Sequence, residues 1–506
     1  MNVNFLAGYN RSASAVNKIL AAYGNDIVDV DAGTGFNLNI DSVADVNMET
    51  FLDHVFLQDY SGLPRTYNGT AWGKTNVSRT LIAKYQKRLK TRLFLGYCNF
   101  LAPQAPTGAG PFPSRIFFPN LPKNEKITWG IEWGTNLKIT SGSATVSVSS
   151  TVQDFIANGI KKGDPIYLTS GLTTTLQSFV LSIDSPYQLT LTDVMTETAT
   201  SVHFWVGSNW LDVGTDDNDF ITQLGDNDDR LLIFKQFSLW RYNFTSLQKV
   251  KDAVGTTSGK SVVNIGRYTF YFHGSNANTR KTGFYSYDGA QSQLISRAIQ
   301  PYIDGITSAN YTAVVAWREG TKFRAFVGTL TNTPANISVT NAVLTLDTEG
   351  GQWSVDPIAD VITSATRYLD SGVERTFIGT DDDEILDTPN GNTHNTSAIS
   401  FATETGVRYP LGTDIMNEFT RVIVHSRGGR GLQVAYKLYA TPDNDDDVWN
   451  GLGDLESNHQ ELFVPTRHAN GKGINIKIFD VDGNANTFTI QKITVFHKPE
   501  RTRSVA

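Results

Sequence analysis

The sequence predicts an all-β chain: a β-propeller of about six blades, a small β-barrel-like module inserted in it, a C-terminal antiparallel β-sandwich, and a short helix near the N-terminus. Three observations predict this. Short apolar strands recur along most of the chain, separated by turns rich in Gly, Asn and Asp. Several strand units end alike, on an aromatic next to Asn or Asp: Tyr67-Asn68-Gly69, Trp240-Arg241-Tyr242-Asn243, and Gly283 to Gly289 (GFYSYDG). Aromatics make up 11% of the chain and Gly numbers 43, a mixture that suits half-buried strands joined by tight turns.

From the amino end, Ser12 to Tyr23 places Val16, Ile19, Leu20 and Tyr23 at helical spacing. Ser12 or Ser14 would cap such a helix and Gly24 would stop it. Val46 to Gln58 fits either a helix or a strand, being short and aromatic-rich. At Tyr67-Asn68-Gly69, with Trp72 close behind, Asn-Gly favours a type I′ hairpin turn. Arg92 to Gly96 and Ser114 to Phe118 are strands split by a Pro/Gly-rich excursion.

Between Asn136 and Gly207 aromatics thin out and Thr and Ser rise. Lys162-Gly163-Asp164-Pro165 and Asp184-Ser185-Pro186 are turns into further strands, which reads as an autonomous module seated in a loop of its host. Leu231 to Tyr242, Ser261 to Phe272, Tyr311 to Arg318, Phe323 to Thr329, Asn341 to Leu346, Gln352 to Val355 and Glu374 to Gly379 continue the strand series. At roughly forty to fifty residues per four-stranded blade, Asp26 to about Asn395 would hold around six blades once the insert is removed. From Thr396, strictly alternating strands such as Phe419 to His425 and Gly431 to Tyr439 read as a sandwich. The predicted division is therefore 1–135 and 208–395 for the propeller, 136–207 for the insert, and 396–506 for the sandwich and a polar tail.

Composition excludes several classes. Lys+Arg total 43 and Asp+Glu 50, a net charge of −7, with no basic stripe of the kind that grips nucleic-acid phosphates. Cys98 is the single cysteine, so intramolecular disulfides are impossible, and it reads as a small core hydrophobe. The opening residues lack the pattern of a signal peptide, and no run of 18 apolar residues exists to span a membrane as a helix.

The RLFLG…PSRIFF strand pair, LLIFKQFSLWRYN and SVVNIGRYTFYFHGSN…GFYSYDG resemble the propeller of tailed-bacteriophage tail proteins. The terminal FTRVIVHSRGGRGLQVAYKLYA…GINIKIFDVDGNANTFTIQKITVFHKP resembles the sandwich that follows such propellers, and SATVSVSS…IKKGDPIYL…VLSIDSPYQLTLT is similar to small barrels of phage structural proteins. The family that fits is the tail nozzle, or tail tubular protein B, of short-tailed bacteriophages, with the likeness scattered over residues 60 to 500. The resemblance implies a virion structural protein without enzymatic activity or cofactor. It implies a homo-oligomeric ring, a hexamer, below a tail adaptor protein and beside tail fibre or tailspike proteins. Double-stranded DNA would pass through that ring during ejection without specific binding. The location implied is the virion tail, with synthesis in the host cytoplasm.

Chemistry-bearing patterns are sparse, and no catalytic, cofactor-binding or metal-binding residue is assigned. The histidines at 54, 203, 273, 394, 425, 459, 468 and 497 show no helical metal-pair spacing and no HExxH. Acidic clusters occur at Asp216 to Asp219, Asp226 to Asp229, Asp381 to Glu384, Asp443 to Asp447 and Asp480 to Asn484. None has the EF-hand pattern, and the ordinary reading of each is a solvated hairpin tip. The first three are candidates for an acidic lining of the DNA channel. Asp480, Asp482 and Asn484 are the best spaced for calcium. The alternative classes are a propeller glycosidase or sialidase-like enzyme and a carbohydrate-binding host-surface protein. Thr345 to Trp353 is near a sialidase Asp-box turn but one residue too long, and Tyr439 and Trp449 could stack on a sugar or close a hairpin.

Overall fold

The computed structural model describes residues 3–499 except 12–15, 39, 41–45, 61–63, 75–80, 101–110, 120–129, 150–152, 171, 173–175, 215–216, 276–280, 332–337, 371–372, 383, 389–392, 395–396, 399–400, 405–407, 411–415, 428–431, 442–443, 446–448, 457–458, 466–469 and 481–488. The chain divides into two compact units, 1–389 and 390–506.

The first unit is a β-propeller of seven antiparallel sheets. Blade 1 holds the strands Val3–Arg11, Val16–Tyr23, Asp26–Asp29 and Thr34–Asn37, and blade 2 runs from Asn47–Phe51 to Trp72–Lys74. Blade 3 holds Leu81–Leu89, Arg92–Phe100 and Phe112–Phe117, completed by Trp210–Asp212 from beyond the insert. Blades 4, 5 and 6 open with Ile221–Asn227, Val263–Ile265 and Val315–Glu319, and each has four strands. Blade 7 has three: Ile362–Asp370, Val373–Thr380 and Ile385–Thr388.

Sheets stacked face to face explain why the strands read as apolar runs rather than alternating ones. In Arg230–Lys235 of blade 4, Leu231 and Ile233 pack with Phe94 and Ile116 of blade 3. The intervening Leu232 and Phe234 pack with Tyr271 and Tyr285 of blade 5. Period-two geometry sends successive side chains to opposite faces, and here both faces are core. Each such large side chain contributes about 1.5–3 kcal/mol by leaving water. Comparable clusters join every neighbouring pair of blades. One more joins blade 7 to blade 1 through Tyr368 and Phe377 against Val3, Leu6, Ile19 and Ala21. The ring closes there without a shared ladder. Thr363 and Ser364 hydroxyls donate to the Val3 carbonyl at 2.6 and 3.0 Å. A side chain at Gly8 would meet the Arg367 carbonyl at 3.0 Å, so the bare backbone permits the approach.

This corrects the predicted N-terminal helix. Val16–Tyr23 is a strand, paired with Val3–Arg11 from Val16↔Arg11 to Tyr23↔Val3; the candidate caps Ser12 and Ser14 lie outside the described residues. Ile19, Leu20, Ala21 and Ala22 are all buried, alternately against blade 7 and blade 2. A doubly buried strand imitates a helical pattern because it has no polar face. The blade expected to begin at Asp26 begins at Val3, which is why seven blades stand where about six were expected. Val46 to Gln58 takes its strand option, as Asn47–Phe51 and His54–Gln58. The one α-helical segment among the described residues is Gln300–Ile303, in blade 5's exit.

The recurring aromatic exit is a real structural repeat. Tyr67, Tyr242 and Tyr287 each turn the hydroxyl back to the carbonyl two residues on, at 3.0, 3.1 and 2.7 Å. The next residue, Asn68, Asn243 or Asp288, accepts two backbone amides of the loop on its side-chain oxygen, at 2.7–3.2 Å. At Asn68 this replaces the expected type I′ turn. Tyr67 pairs with Trp72 across a four-residue loop in which Gly69 alone takes a positive φ, of 94°. The side chain supplies the capping that a two-residue turn would take from its backbone.

The insert, between the third and fourth strands of blade 3, is a closed six-stranded barrel from Ile131 to Gly207. Its interior is apolar, with Phe155, Ile166, Leu189 and Phe204 fully enclosed. Its first strand starts ahead of the Asn136 boundary, and Trp133 and Trp205 pack outward on blades 2 and 3. Arg115 of blade 3 lies 3.8 Å from the Trp210 ring and pairs with Asp212 at 2.6 Å.

The second unit is an antiparallel sandwich. One sheet contains Phe401–Glu404, Gly473–Asp480 and Gln433–Thr441, the other His459–Phe463, Asn417–Arg427 and Thr489–Pro499. Phe419, Val422 and Val424 face Val434, Tyr436, Ile474, Ile476 and Ile478 between them.

Candidate functional site

The first strands of the blades stand around the propeller axis, and the space between them is a cavity. It has two halves, of about 1000 and about 600 Å³. They meet at a waist formed by Phe5, Asn47, Gln223, Gly259 and Lys260. Lys260, at the entry to blade 5, crosses to the far side of the ring. Its Nζ donates to the carbonyls of Asn4 in blade 1 and Thr363 in blade 7, at 3.1 and 3.0 Å. The axis is spanned by this side chain.

The smaller half is ionic. Lys87 of blade 3 lies 3.9 Å from Glu49 of blade 2 and 3.1 Å from Asp226 of blade 4. Asn264 of blade 5 donates to the Asp226 carbonyl at 2.9 Å, and Arg318 and Arg367 of blades 6 and 7 reach Glu374 at 3.7 and 3.5 Å. Burial pushes the Glu49 carboxyl up despite the Lys87 charge, while the Glu49 charge, above all, pushes Lys87 up. A glycosidase needs two carboxylates flanking an open space for the scissile bond. Glu49 and Asp226 do converge, but Lys87 occupies the position between them. This belt ties neighbouring blades together.

The larger half is aromatic and polar. Phe220 and Phe237 are 39% and 45% exposed within it, beside Tyr85 and Tyr311. Gln236, Ser308 and Thr312 also line its wall. Lys84 sits 4.6 Å from the Tyr97 ring and 5.2 Å from Tyr60, and Tyr97 meets Phe220 edge-on at 6.2 Å. Among the described residues no Asp or Glu lines this half.

The acidic clusters do not gather at one place. Asp217 pairs with the fully buried Lys235 at 2.7 Å. Asp219 accepts from the Phe237 amide at 3.0 Å and the Ser238 hydroxyl at 2.8 Å. Asp226 alone reaches the axis, whereas Asp229 meets Lys90 at an exposed hairpin tip and Asp381 accepts from the Val361 amide. Asp216, Asp383, Asp443, Asp446, Asp447, Asp482 and Asn484, and the Asp480 side chain, lie outside the described residues. No group of three or more metal-ligating side chains occurs among the described ones.

Thr345 to Trp353 is a hairpin turn, with Gly351 at φ 67° and its amide on the Asp347 carbonyl at 2.8 Å. Tyr439 is buried, and Trp449 carries Lys477 at 5.4 Å over its ring. Cys98 is buried between blades 2 and 3. His425 and His459 are a pair that helical spacing could not reveal. They face each other across adjacent strands, Nδ1 to Nδ1 at 3.2 Å.

No family model and no curated protein matches the sequence. Solved structures do. BamB from Moraxella catarrhalis is similar over 76% of this chain and 96% of its own, with 9% identity and a TM-score of 0.36. The Pan2 WD40 domain of Neurospora crassa covers 69% and 89%, with 7% identity and a TM-score of 0.28. A Trypanosoma rangeli sialidase mutant displaying trans-sialidase activity covers 98% and 94%, with 7% identity and a TM-score of 0.29. With all three scores low, the propeller rests on its own sheet order and closed set of inter-blade cores.

Proposed function

We propose that the chain is a structural protein of a short-tailed phage tail, a nozzle subunit whose copies form a ring around the DNA exit path. The observation that carries this reading is the order of bodies in the chain: a propeller interrupted by a barrel within one blade, then a sandwich, the order for which the sequence resembles the nozzle family. In this reading the conduit is a space between copies, since Lys260 spans each propeller's own axis. The ring is hexameric, docks below a tail adaptor protein, stands beside tail fibres or tailspikes, and lets duplex DNA pass without specific binding. The channel's charged groups support a scaffolding role, being used to tie blades 2, 3 and 4 together. No helix among the described residues is long and apolar enough to cross a membrane.

Electron cryomicroscopy of the purified chain and of its parent particle tests the proposal. Six-fold rings in the tail fraction are expected. A chain recovered only as a free monomer, absent from particles, would overturn it.

A further inference from the structure

The outer face of the sandwich carries a pair of side chains that neither the fold nor a ring of copies requires. We propose that His425 and His459 bind a divalent transition-metal ion of the copper and zinc class. The two residues stand directly opposite each other on the strands Asn417–Arg427 and His459–Phe463. Val422, Val424 and Leu462 of these strands enter the core, and the period of two turns His425 and His459 to the other face. Their Nδ1 atoms are 3.2 Å apart, and their rings meet at 71°. An ion holding two imidazole nitrogens at about 2.0–2.1 Å in tetrahedral geometry sets them roughly 3.3–3.4 Å apart. The strands therefore hold the two donors close to the bite of one ion. Without an ion, the contact is a long hydrogen bond, in which one Nδ1–H donates and the other nitrogen accepts. Moving that proton to Nε2 of the same ring, and turning both rings about their side-chain bonds, leaves two lone pairs aimed at one point.

The surroundings select the class of ion. Imidazole nitrogen suits copper, zinc and nickel, whereas calcium and magnesium take oxygen ligands. Glu461 lies two residues from His459 on the same strand face, but its carboxylate pairs with Arg421. Lys492, an exposed residue, stands opposite His425 on the far side. With that carboxylate engaged and two cationic side chains nearby, bulk charge attraction does not favour a cation, so the nitrogen lone pairs decide which ion binds. Among the described residues no third metal-ligating side chain completes a group with this pair, so the remaining coordination positions fall to water. The site is thus of the open, exchangeable kind. The sandwich already has an apolar core of its own, and the ion adds to a fold that is formed without it.

The test is calorimetric titration of the full chain, first stripped with a chelator, with copper(II), zinc(II) and calcium chlorides. One tight equivalent of copper is expected, with zinc weaker at the same residues, as the general order of divalent affinities requires, and calcium at least tenfold weaker than zinc. Electron paramagnetic resonance of the one-equivalent copper complex should show coupling to two nitrogens. Zinc should raise the melting transition of the sandwich and leave that of the propeller in place. His425→Ala and His459→Ala should each weaken the tight equivalent by tenfold or more, with melting profiles confirming that each variant folds. His54→Ala, in blade 2, where Nδ1 meets the Leu52 carbonyl at 2.7 Å, should leave it unchanged. The proposal is overturned if neither copper nor zinc saturates a single site, if calcium binds as tightly, if the copper spectrum shows fewer than two nitrogens, or if the tight site survives in the folded His425 and His459 variants.

Discussion

Lys235 offers a sharp test of how the propeller is held together. It lies in the second strand of blade 4 and is 0% exposed. Its Nζ donates to the Val213 and Gly214 carbonyls at 2.9 Å and to both Asp217 oxygens at 2.7 and 2.8 Å. Lys235→Met keeps much of the packing volume and removes every one of these bonds. Taking one partner from a buried charge pair costs about 3–5 kcal/mol. Asp217 is 31% exposed, so water recovers part of the loss and the lower end of that range, about 3 kcal/mol, applies. With an unfolding entropy near 2.1 cal/mol/K per residue, about 390 residues give roughly 0.8 kcal/mol/K, so the propeller's melting temperature should fall by about 4 °C. Differential scanning calorimetry, with the sandwich transition as internal reference, reads this. Adding Asp217→Asn should recover much of the loss, since a stranded carboxylate is its largest part, giving a coupling of about 1.5 kcal/mol or more. A single-variant shift below about 1 °C, or strictly additive losses, would refute the reasoning.

Three further outcomes follow from the same geometry. Burial raises the Cys98 thiol well above its ordinary range, so Ellman's reagent at pH 8 should find no reactive thiol in the native chain and one after guanidinium unfolding; rapid stoichiometric labelling of the native protein would contradict this. The Gln291 and Ala290 amides hold the Asp288 carboxyl below its ordinary range. The stability it adds is therefore present above the unfolded carboxylate range and lost as pH falls through its own titration. Asp288→Ala should cost about 1 kcal/mol at neutral pH and progressively less on acidification, read from denaturant melts at several pH values; a pH-independent loss would count against it. Replacing Ile131–Gly207 by a short Gly/Ser link should leave a propeller that melts cooperatively at lower temperature, because the ends meet at Gly207 and Ile131 while Trp133 and Trp205 leave the blade core. Aggregation alone would show that the barrel is integral to folding.

The positions of the turns, though not the turn type at Asn68, were legible in the sequence because their chemistry is local. Asn68, Asn243 and Asp288 bond amides two and three residues ahead, and a reader of the chain sees all the participants. The barrel was legible through its change in composition. The first blade was not, because burial on both faces erased the alternation that marks Val16–Tyr23 as a strand. The axial site was illegible for another reason. Glu49, Lys87 and Asp226 belong to three different blades, and only the stacking of blades 2, 3 and 4 brings them together. Lys235 sits in an apolar run, LLIFKQF, where nothing local shows that its ammonium points inward to Asp217.

The seam between blades 7 and 1 sets a schedule for the nascent chain. Val3 bonds to Thr363 and Ser364, and its cluster waits for Tyr368 and Phe377. At about 5–20 residues per second, a ribosome needs roughly 20 to 75 s to travel that distance. Throughout that interval the outward face of blade 1, with Val3, Leu6, Ile19 and Ala21, has no partner of its own. Blades 1 to 6 can stack one after another as they emerge, but the final latch is side chain to side chain and must find its mate at the longest loop in the propeller. That exposed hydrophobic face is where a chaperone would act, and where two unfinished chains would join to each other instead of each to itself.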